Sequence, residues 1–313
     1  MPEEDRHIDL EDLAHVSLDE ALSLIGDRTR AAIIVELGRA RTVLPDDSSA
    51  LGFSELMTRV GAEDSGGFNY HLQRLVGPFI KHEAAGYALR VPGQLLFQAI
   101  VGGTLTQREP VDPFPVGDCP RCGDLLSAAV HPDHLLTVEC TGCATLFDAI
   151  AFPARGLADR EDEELLAAAY QRRHHQVATM RRGVCPHCAG RVDRDLVADA
   201  SITYGAASVA EMAGLETYAT LACRDCTATL VGHPANVAVT TPPVVGFFAD
   251  HDRDVAVTNW WATPIATARA ETRTGGTEPR RVAIPFELDG ECLTVTLDAD
   301  LEVAGLDREA ATG

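Results

Sequence analysis

Eight of the nine cysteines fall into four C-x-x-C pairs: Cys119/Cys122, Cys140/Cys143, Cys185/Cys188 and Cys223/Cys226. A pair at this spacing places two sulfurs on one turn. Two such turns supply four thiolates, the closed tetrahedral ligand set of a structural zinc site. Cys119-Pro-Arg-Cys122-Gly123 is a zinc-knuckle sequence, and 17 residues separate Cys122 from Cys140. Within that interval LLSAAV and LLTVE flank a HPDH turn, the pattern of a hairpin that carries one knuckle to the other. Cys185-Pro-His-Cys188 is again knuckle-like, with 34 residues between Cys188 and Cys223. The spacing predicts two Zn2+ ions per chain, each held by four of these cysteines. Four thiolates leave no open coordination position, so zinc catalysis is not implied. Redox switching, an iron–sulfur cluster and metal-free pairs are the rival uses of such spacing. His131, His134, His187 and His233 lie near the arrays; with four sulfurs per site, each reads as a turn or surface residue. Cys292 alternates with Leu293 in a strand and reads as a core residue.

No other arrangement of residues suggests catalysis. There is no G-x-S-x-G, no phosphate-binding P-loop and no dinucleotide fingerprint, so the chain is not expected to be an enzyme. Asp133 and Glu139 read as solvated. The run Arg172-Arg173-His174-His175 suits either phosphate contact or a solvated helix face. Trp260–Trp261 suits core packing or the wall of a small-molecule pocket.

Residues 1–16 form an acidic lead-in with no basic or apolar leader, which suggests a disordered start and a cytoplasmic protein. Ser17 and Glu20 fit a capping box. Asp27 opens a helix in which Ala31, Ile34, Val35 and Leu37 recur at helical spacing. PDDSS at 45–49 is a loop. FSELMTRVG is a short helix with Ser54 as cap and Gly61 as stop. After a turn at AEDSG comes a helix with the apolar stripe Phe68, Leu72, Leu75 and Val76. Two short strands follow, around a turn near Ala85–Gly86. Pro92 opens another helix, which stops at Gly102–Gly103. Residues 104–118 hold three prolines and read as a linker. Residues 119–152 form the first ribbon and 160–182 a long helix. Residues 185–313 hold the second cysteine array in a mixed region, with a hairpin around Asp289–Gly290. Only the cysteine arrays recur. No stretch reaches the roughly 18 apolar residues of a membrane span, so no membrane partner is expected.

The order of elements over 17–103 is that of a winged helix-turn-helix, and the fold class is α+β. An α-helix fits the major groove of double-stranded DNA, about 12 Å wide. With Phe68, Leu72 and Leu75 turned inward, Ser65, Gly66, Gly67, Asn69, Tyr70, Gln73 and Arg74 are left to meet DNA. Asn and Gln suit adenine edges and Arg suits guanine. Gly66 and Gly67 at a helix N-terminus suggest free N–H groups for a phosphate. Lys81, His82 and Arg90 on the wing suggest backbone or minor-groove contacts. His71, Phe79 and Tyr87 read as packing residues.

The segment LIGDRTRAAIIVELGRA…GFSELMTRVGAEDSGGFNYHLQRLVGPFIKHEAAGYAL resembles the ArsR-like winged-helix regulators of haloarchaea. The phrases GD-x-TR-x-AII-x-EL, FSEL and FNYHL-x-x-L carry the likeness, over about a quarter of the chain. A winged helix followed by C-x-x-C arrays resembles haloarchaeal regulators with zinc-ribbon C-termini. The resemblance implies a repressor or activator that binds DNA as a homodimer. Residues 92–102 or 17–25 are the expected interface, and the C-terminal part would bind a partner or small effector. FSELMTRVG has no cysteine, unlike metal-sensing members, so arsenic-type sensing there is not expected. Two alternatives stay open. A basal factor resembling archaeal transcription factor E would bind RNA polymerase. A thiol- or metal-responsive sensor would change DNA affinity on oxidation or metal loss.

The charge is −21, from 47 acids and 26 bases, and Lys81 is the single lysine. Acidity with little lysine suggests a halophilic proteome; a GC-rich genome is the alternative. The residues assigned to DNA are near neutral: 17–105 hold ten acids and eight bases, whereas 106–313 hold 31 acids and 17 bases.

Overall fold

A computed structural model of the chain describes residues 18–40, 50–105, 110–197, 203–204, 207–208, 217–226, 228–257, 264–265, 268–269, 272–275 and 280–310. The chain divides into two compact units, Met1–Thr106 and Gln107–Gly313. The expected lead-in at 1–16, the Ser17 cap, the 45–49 loop and Trp260–Trp261 lie outside the described residues.

The first unit is a helical cluster with one hairpin. Its helices are α1 (Leu18–Ile25), α2 (Arg28–Ala40), α3 (Phe53–Val60), α4 (Ser65–Leu75) and α5 (Val91–Gly102). Strands β1 (Ile80–Glu83) and β2 (Gly86–Leu89) pair antiparallel between α4 and α5. Asp27 caps α2, its carboxylate accepting the Arg30 N–H at 3.0 Å. That bond, ahead of the nearby His71 and the Arg30 charge, holds the Asp27 carboxyl below the usual range. Gly61 ends α3 at φ 72, a left-handed conformation in which glycine avoids the Cβ clash. The cap of α3 is Gly52 and not Ser54, which sits inside the first turn. The core gathers Leu24, Ile33, Ile34, Leu37, Leu56, Phe68, Leu72, Leu75 and Ile80. Ile33 joins it beyond the spacing read from sequence.

The second unit is built from small antiparallel sheets around one long helix. The first sheet is a meander of β3 (Val111–Asp118), β4 (Leu125–Val130), β5 (Leu135–Cys140) and β6 (Leu146–Ala151). A 3-10 turn at Ala154–Leu157 leads to α6 (Asp162–Arg181). Strand β7 (Val192–Val197) follows, then the short pair β8 (Thr203–Tyr204) and β9 (Ala207–Ser208). Strands β10 (Tyr218–Cys223) and β11 (Thr229–Gly232) complete a sheet of order β11-β10-β7. Two helices, α7 (Pro234–Ala238) and α8 (Pro242–Asp250), precede the last meander. That meander comprises β12 (Arg273–Gly275), β13 (Arg281–Leu288), β14 (Glu291–Leu297) and β15 (Val303–Ala310). Asp289 and Gly290, at φ 49 and 86, make the tight β13–β14 turn expected from Asp-Gly.

Two expectations change here. The linker over 104–118 gives way at Val111 to β3, an edge strand with Phe114 buried. Prolines 113 and 115 are tolerated there because an edge strand need not donate from both sides, and the register with β4 shifts around each of them. Residues 119–152, 160–182 and 185–313 also share one core, which runs from Phe114 through Leu165, Tyr170 and Leu221 to Leu301. Cys292 is not part of it. Leu293, Val295 and Leu297 face that core, and Cys292 lies half-buried on the opposite face of β14.

The tightest seam of the first unit is Gly38 on α2, where an added Cβ would overlap the Phe97 ring of α5. Overpacking of this kind costs about 1–3 kcal/mol. Gly38→Val should therefore lower the urea midpoint of the first unit, followed by helical circular dichroism. An unchanged midpoint would mean that α2 and α5 do not pack closely at Gly38.

Candidate metal centres and the exposed face of helix α4

The four C-x-x-C pairs converge as two groups. Cys119, Cys122, Cys140 and Cys143 form one; Cys185, Cys188, Cys223 and Cys226 form the other. Within each group the ligand atoms all lie within 4.8 Å of one another, and each group can hold a metal ion. Across the two knuckles, the Cys122 and Cys140 sulfurs are 3.4 Å apart and the Cys119 and Cys143 sulfurs 3.8 Å. In the second group Cys185–Cys226 and Cys188–Cys223 are both at 3.5 Å. These separations far exceed the S–S bond of about 2.05 Å, and all eight thiols are free.

Strand ends position the sulfurs. The first knuckle joins β3 to β4 and the second joins β5 to β6. In the other group one knuckle precedes β7 and the other joins β10 to β11. The first cysteine of every pair is buried. Its sulfur accepts an N–H from two residues on: Arg121 to Cys119, Gly142 to Cys140, His187 to Cys185 and Asp225 to Cys223, each at 3.4 Å. Such bonds stabilise thiolate charge.

The two groups share one backbone pattern. The Cys119 N–H donates to Asp124 O at 2.7 Å, as Cys185 does to Gly190 O at 2.9 Å. Cys140 donates to Thr145 O at 3.0 Å, as Cys223 does to Ala228 O at 2.9 Å. The crossing bond from Thr141 to Leu125 O at 2.9 Å matches that from Arg224 to Arg191 O at 3.0 Å. Each group is thus knuckle, strand, strand, knuckle, strand, although the interval between knuckles doubles. One detail is inverted between them. The Asp124 carboxylate of the first knuckle fills the space where a Cβ on Gly142 would stand. In the other group the Asp225 carboxylate of the second knuckle fills that space over Gly190.

The thiols are unequal. Hydrogen bonds from the Thr145 hydroxyl and then its N–H draw Cys143 down to about 6. The Cys226 and Asp225 N–H groups draw Cys223 down to about 7. At Cys122 the Asp124 N–H favours the thiolate, but sharing a proton with Cys140 and burial outweigh it and push the thiol up to about 12. At Cys188 the Gly190 N–H is likewise outweighed by Cys226 and Cys223, again to about 12. Metal uptake at neutral pH must therefore displace protons from Cys122 and Cys188, so affinity falls as pH falls. His187 is exposed on its knuckle and belongs to neither group, and His233 is buried as the cap of α7, its ring accepting the Ala235 N–H at 3.0 Å. Burial first, then the Arg269 charge, holds His233 down to about 3.

The residues singled out on α4 divide cleanly. Phe68, Leu72 and Leu75 are buried. Ser65, Gly66, Asn69, Tyr70, Gln73 and Arg74 are exposed, and Gly67 is partly so. The exposed four pair along the helix: Gln73 donates to Asn69 at 3.4 Å, and Arg74 to the Tyr70 hydroxyl at 3.3 Å. His71 packs inward, its Nδ1 3.4 Å from the Asp27 carboxylate. One expectation is overturned. The N–H groups of Gly66 and Gly67 are not free for phosphate, because Asp64 caps the helix and accepts both, at 3.0 and 2.8 Å. The Asp64 carboxylate also occupies the space a Cβ on Gly67 would need. On the hairpin, Lys81 pairs with Glu83 at 2.7 Å, and Arg90 donates to the Gly77 carbonyl. Tyr87 is buried and stacks on His82 with ring centres 4.2 Å apart.

Sequence reasoning missed Asp64, Asp124, Asp225 and Thr145. The available signals were an Asp two or three residues before a Gly pair, and a Gly within one knuckle of each array. The inverted Asp–Gly pairing gives a direct test. Gly142→Asp alone should crowd Asp124 and weaken metal retention at the first group. Combined with Asp124→Gly, which copies the second group, it should restore it. Metal-to-protein ratio after dialysis against a chelator reads both; equal loss in both variants would refute the equivalence.

Two family models match the chain. One, described as a domain of unknown function (DUF7347), matches residues 18–100. The other, described as a domain of unknown function (DUF7351), matches residues 116–303. The gap between them spans the boundary between the two compact units. No curated protein matches, and no solved structure matches. Because the second match takes in more than half of the chain, the protein belongs to the DUF7351 family of domains of unknown function.

Proposed function

We propose that the chain is a site-specific DNA-binding transcription regulator, with a winged helix-turn-helix over 17–103 and structural zinc in both cysteine groups. The observation that carries the DNA reading is the exposed row Asn69, Tyr70, Gln73 and Arg74 on α4, backed by a buried Phe68-Leu72-Leu75 edge. An exposed amide and guanidinium row on a helix anchored from behind suits base edges in the major groove. The row enters with Asp64 capping its first turn, so a phosphate at that turn plays no part. Lys81 and Arg90 remain exposed on the hairpin and at its end. The ArsR-like resemblance of this segment supports the same reading.

The zinc reading rests on fit. Sulfurs about 2.3 Å from a tetrahedral zinc stand about 3.8 Å apart. The cross-knuckle pairs Cys122–Cys140, Cys119–Cys143, Cys185–Cys226 and Cys188–Cys223 are at 3.4–3.8 Å. Zinc would hold the knuckles of each group together and supply no open position. A homodimer is supported by the apolar surface of α1 and α5: Leu22, Val91, Leu95 and Val101 are all exposed, an arrangement that favours a partner.

Elemental analysis of the folded protein should give two zinc ions per chain; a well-folded sample without metal would defeat the zinc reading. Each bidentate base contact contributes roughly 1–3 kcal/mol of discrimination. Gln73→Ala with Arg74→Ala should therefore weaken binding to the cognate site, found by genomic footprinting, by roughly tenfold or more at fixed salt. Unchanged affinity would remove α4 as the reading helix.

A further inference from the structure

A cavity of about 580 Å³ opens on the second unit beside the second cysteine group. Its volume lies within the roughly 300–1,000 Å³ of small-molecule sites. One wall is a face of α6 on which Ala168, Gln171, Arg172, His175, Gln176 and Thr179 recur at helical spacing. The α6 residues Leu165, Leu166, Ala169, Tyr170, Val177 and Met180 are turned to the core, so this second face is not needed for packing. The opposite walls carry Arg160, from the turn before α6, and Pro186 and His187 of the Cys185–Cys188 knuckle. Half-buried Pro153 adds an apolar edge, while the Phe152 ring is buried over Gly156.

The charge of this lining is its distinguishing property. Residues 106–313 hold 31 acids and 17 bases. The cavity nevertheless gathers two arginines and two histidines, and no Asp or Glu lines it. A neighbouring hollow that shares Arg160 holds two acids, Asp159 and Glu164, of which Asp159 is paired with Arg155 at 3.2 Å. The interior charges of α6 are spent elsewhere: Arg173 turns in towards Asp148, at 4.0 Å. Arg172, by contrast, is exposed and has no ion-pair partner among the described residues. Arg160 uses one guanidinium nitrogen on the Gly156 carbonyl at 2.6 Å, which fixes its direction and leaves its remaining donors. His175 is held by its Nδ1 against the Gln171 carbonyl at 2.7 Å, so its Nε2 is presented outward.

Guanidinium forks match the oxygens of a phosphate, and the Gln176 amide suits a sugar, whereas the Thr179 hydroxyl donates to the His175 carbonyl at 2.8 Å and is left only to accept. A polyanion is a poor match, because the unit's strong negative charge repels it at long range. A compact anion carries far less of that penalty and meets only the local donors. We propose that this cavity binds a small organic phosphate of mononucleotide size, its phosphate held by Arg160 and Arg172 and its ring lying against Pro153. The assignment stands independently of the DNA reading, since every lining residue belongs to the second unit.

Calorimetric titration of the full-length, metal-loaded protein tests it, with adenosine monophosphate as probe and adenosine as its uncharged control. One site per chain is expected, with adenosine at least tenfold weaker. Arg172→Ala should weaken the nucleotide at least tenfold. Arg160→Ala, from a different segment, should do likewise, so a folding fault in either variant does not leave the question open. Circular dichroism and metal content confirm that each variant is intact. Equal binding of adenosine and its phosphate would overturn the proposal. So would no heat up to about 10 mM, beyond the millimolar range that a few contacts supply. Loss of duplex-DNA affinity in these variants, with nucleotide binding unchanged, would assign the cavity to a nucleic-acid backbone instead and likewise overturn it.

Discussion

Four sulfurs packed within a few ångströms cannot all carry charge unless a cation lies among them, and the second unit is organised around that constraint twice. Like charges at this distance drive some groups to keep their protons. Cys122, pushed up to about 12 against the Asp124 N–H, chiefly by sharing a proton with Cys140, shows that effect without a metal, while the Thr145 hydrogen bonds draw Cys143 down to about 6. A dication removes the conflict and joins two turns that are remote in sequence. The strands that hang from those turns are six residues or shorter in β4, β5, β6, β7, β10 and β11. Short sheets of this kind bury little surface each, and their stability leans on what is pinned at their ends. The buried cysteines, Cys119, Cys140, Cys185 and Cys223, tie those ends into the same core that α6 covers.

The repeated ribbon shows how far a physical pattern can outlast its sequence. The two groups keep the same backbone hydrogen bonds around each knuckle, while the interval between knuckles grows from 17 to 34 residues. The extra length holds β8 and β9. The Asp–Gly inversion fits this picture. One carboxylate is accommodated beside each sulfur cluster, and the opposite knuckle must then be glycine. Which knuckle supplies it is immaterial to the packing, so the two copies differ.

Features governed by neighbours in sequence were the ones legible from sequence. C-x-x-C spacing brings two sulfurs to one turn whatever surrounds it. Asp27, Gly61 and the Asp289–Gly290 turn act through their own backbone and stand where the sequence places them. The apolar stripe of α4 was readable for the same reason. What depended on distant contacts was not. Val111–Asp118 looked like a proline-rich linker because its role as an edge strand is set by β4. Cys292 was placed on the wrong face because alternation alone does not say which face of β14 meets the core. The Gly66 and Gly67 amides looked free because capping by Asp64 depends on a side-chain rotamer. Arg172 and Arg173 are adjacent and alike in sequence, yet one faces solvent and the other Asp148.

Charge then limits what each unit can do. An acidic protein disfavours DNA through long-range repulsion, and the usual gain from counterion release cannot be large for a near-neutral segment such as 17–105. At molar salt the screening length falls to about 3 Å, and only groups in contact matter. Under those conditions an exposed row of amide, hydroxyl and guanidinium groups outweighs any basic patch, and Asp64 at the head of α4 costs little. Where salt is lower and screening weaker, charge also separates the α6 cavity from a nucleic-acid surface. Its two arginines lie in a unit with 31 acids and 17 bases, so a chain of phosphates that reached them would meet repulsion beyond the cavity. A single phosphate that fits the hollow meets the arginines alone.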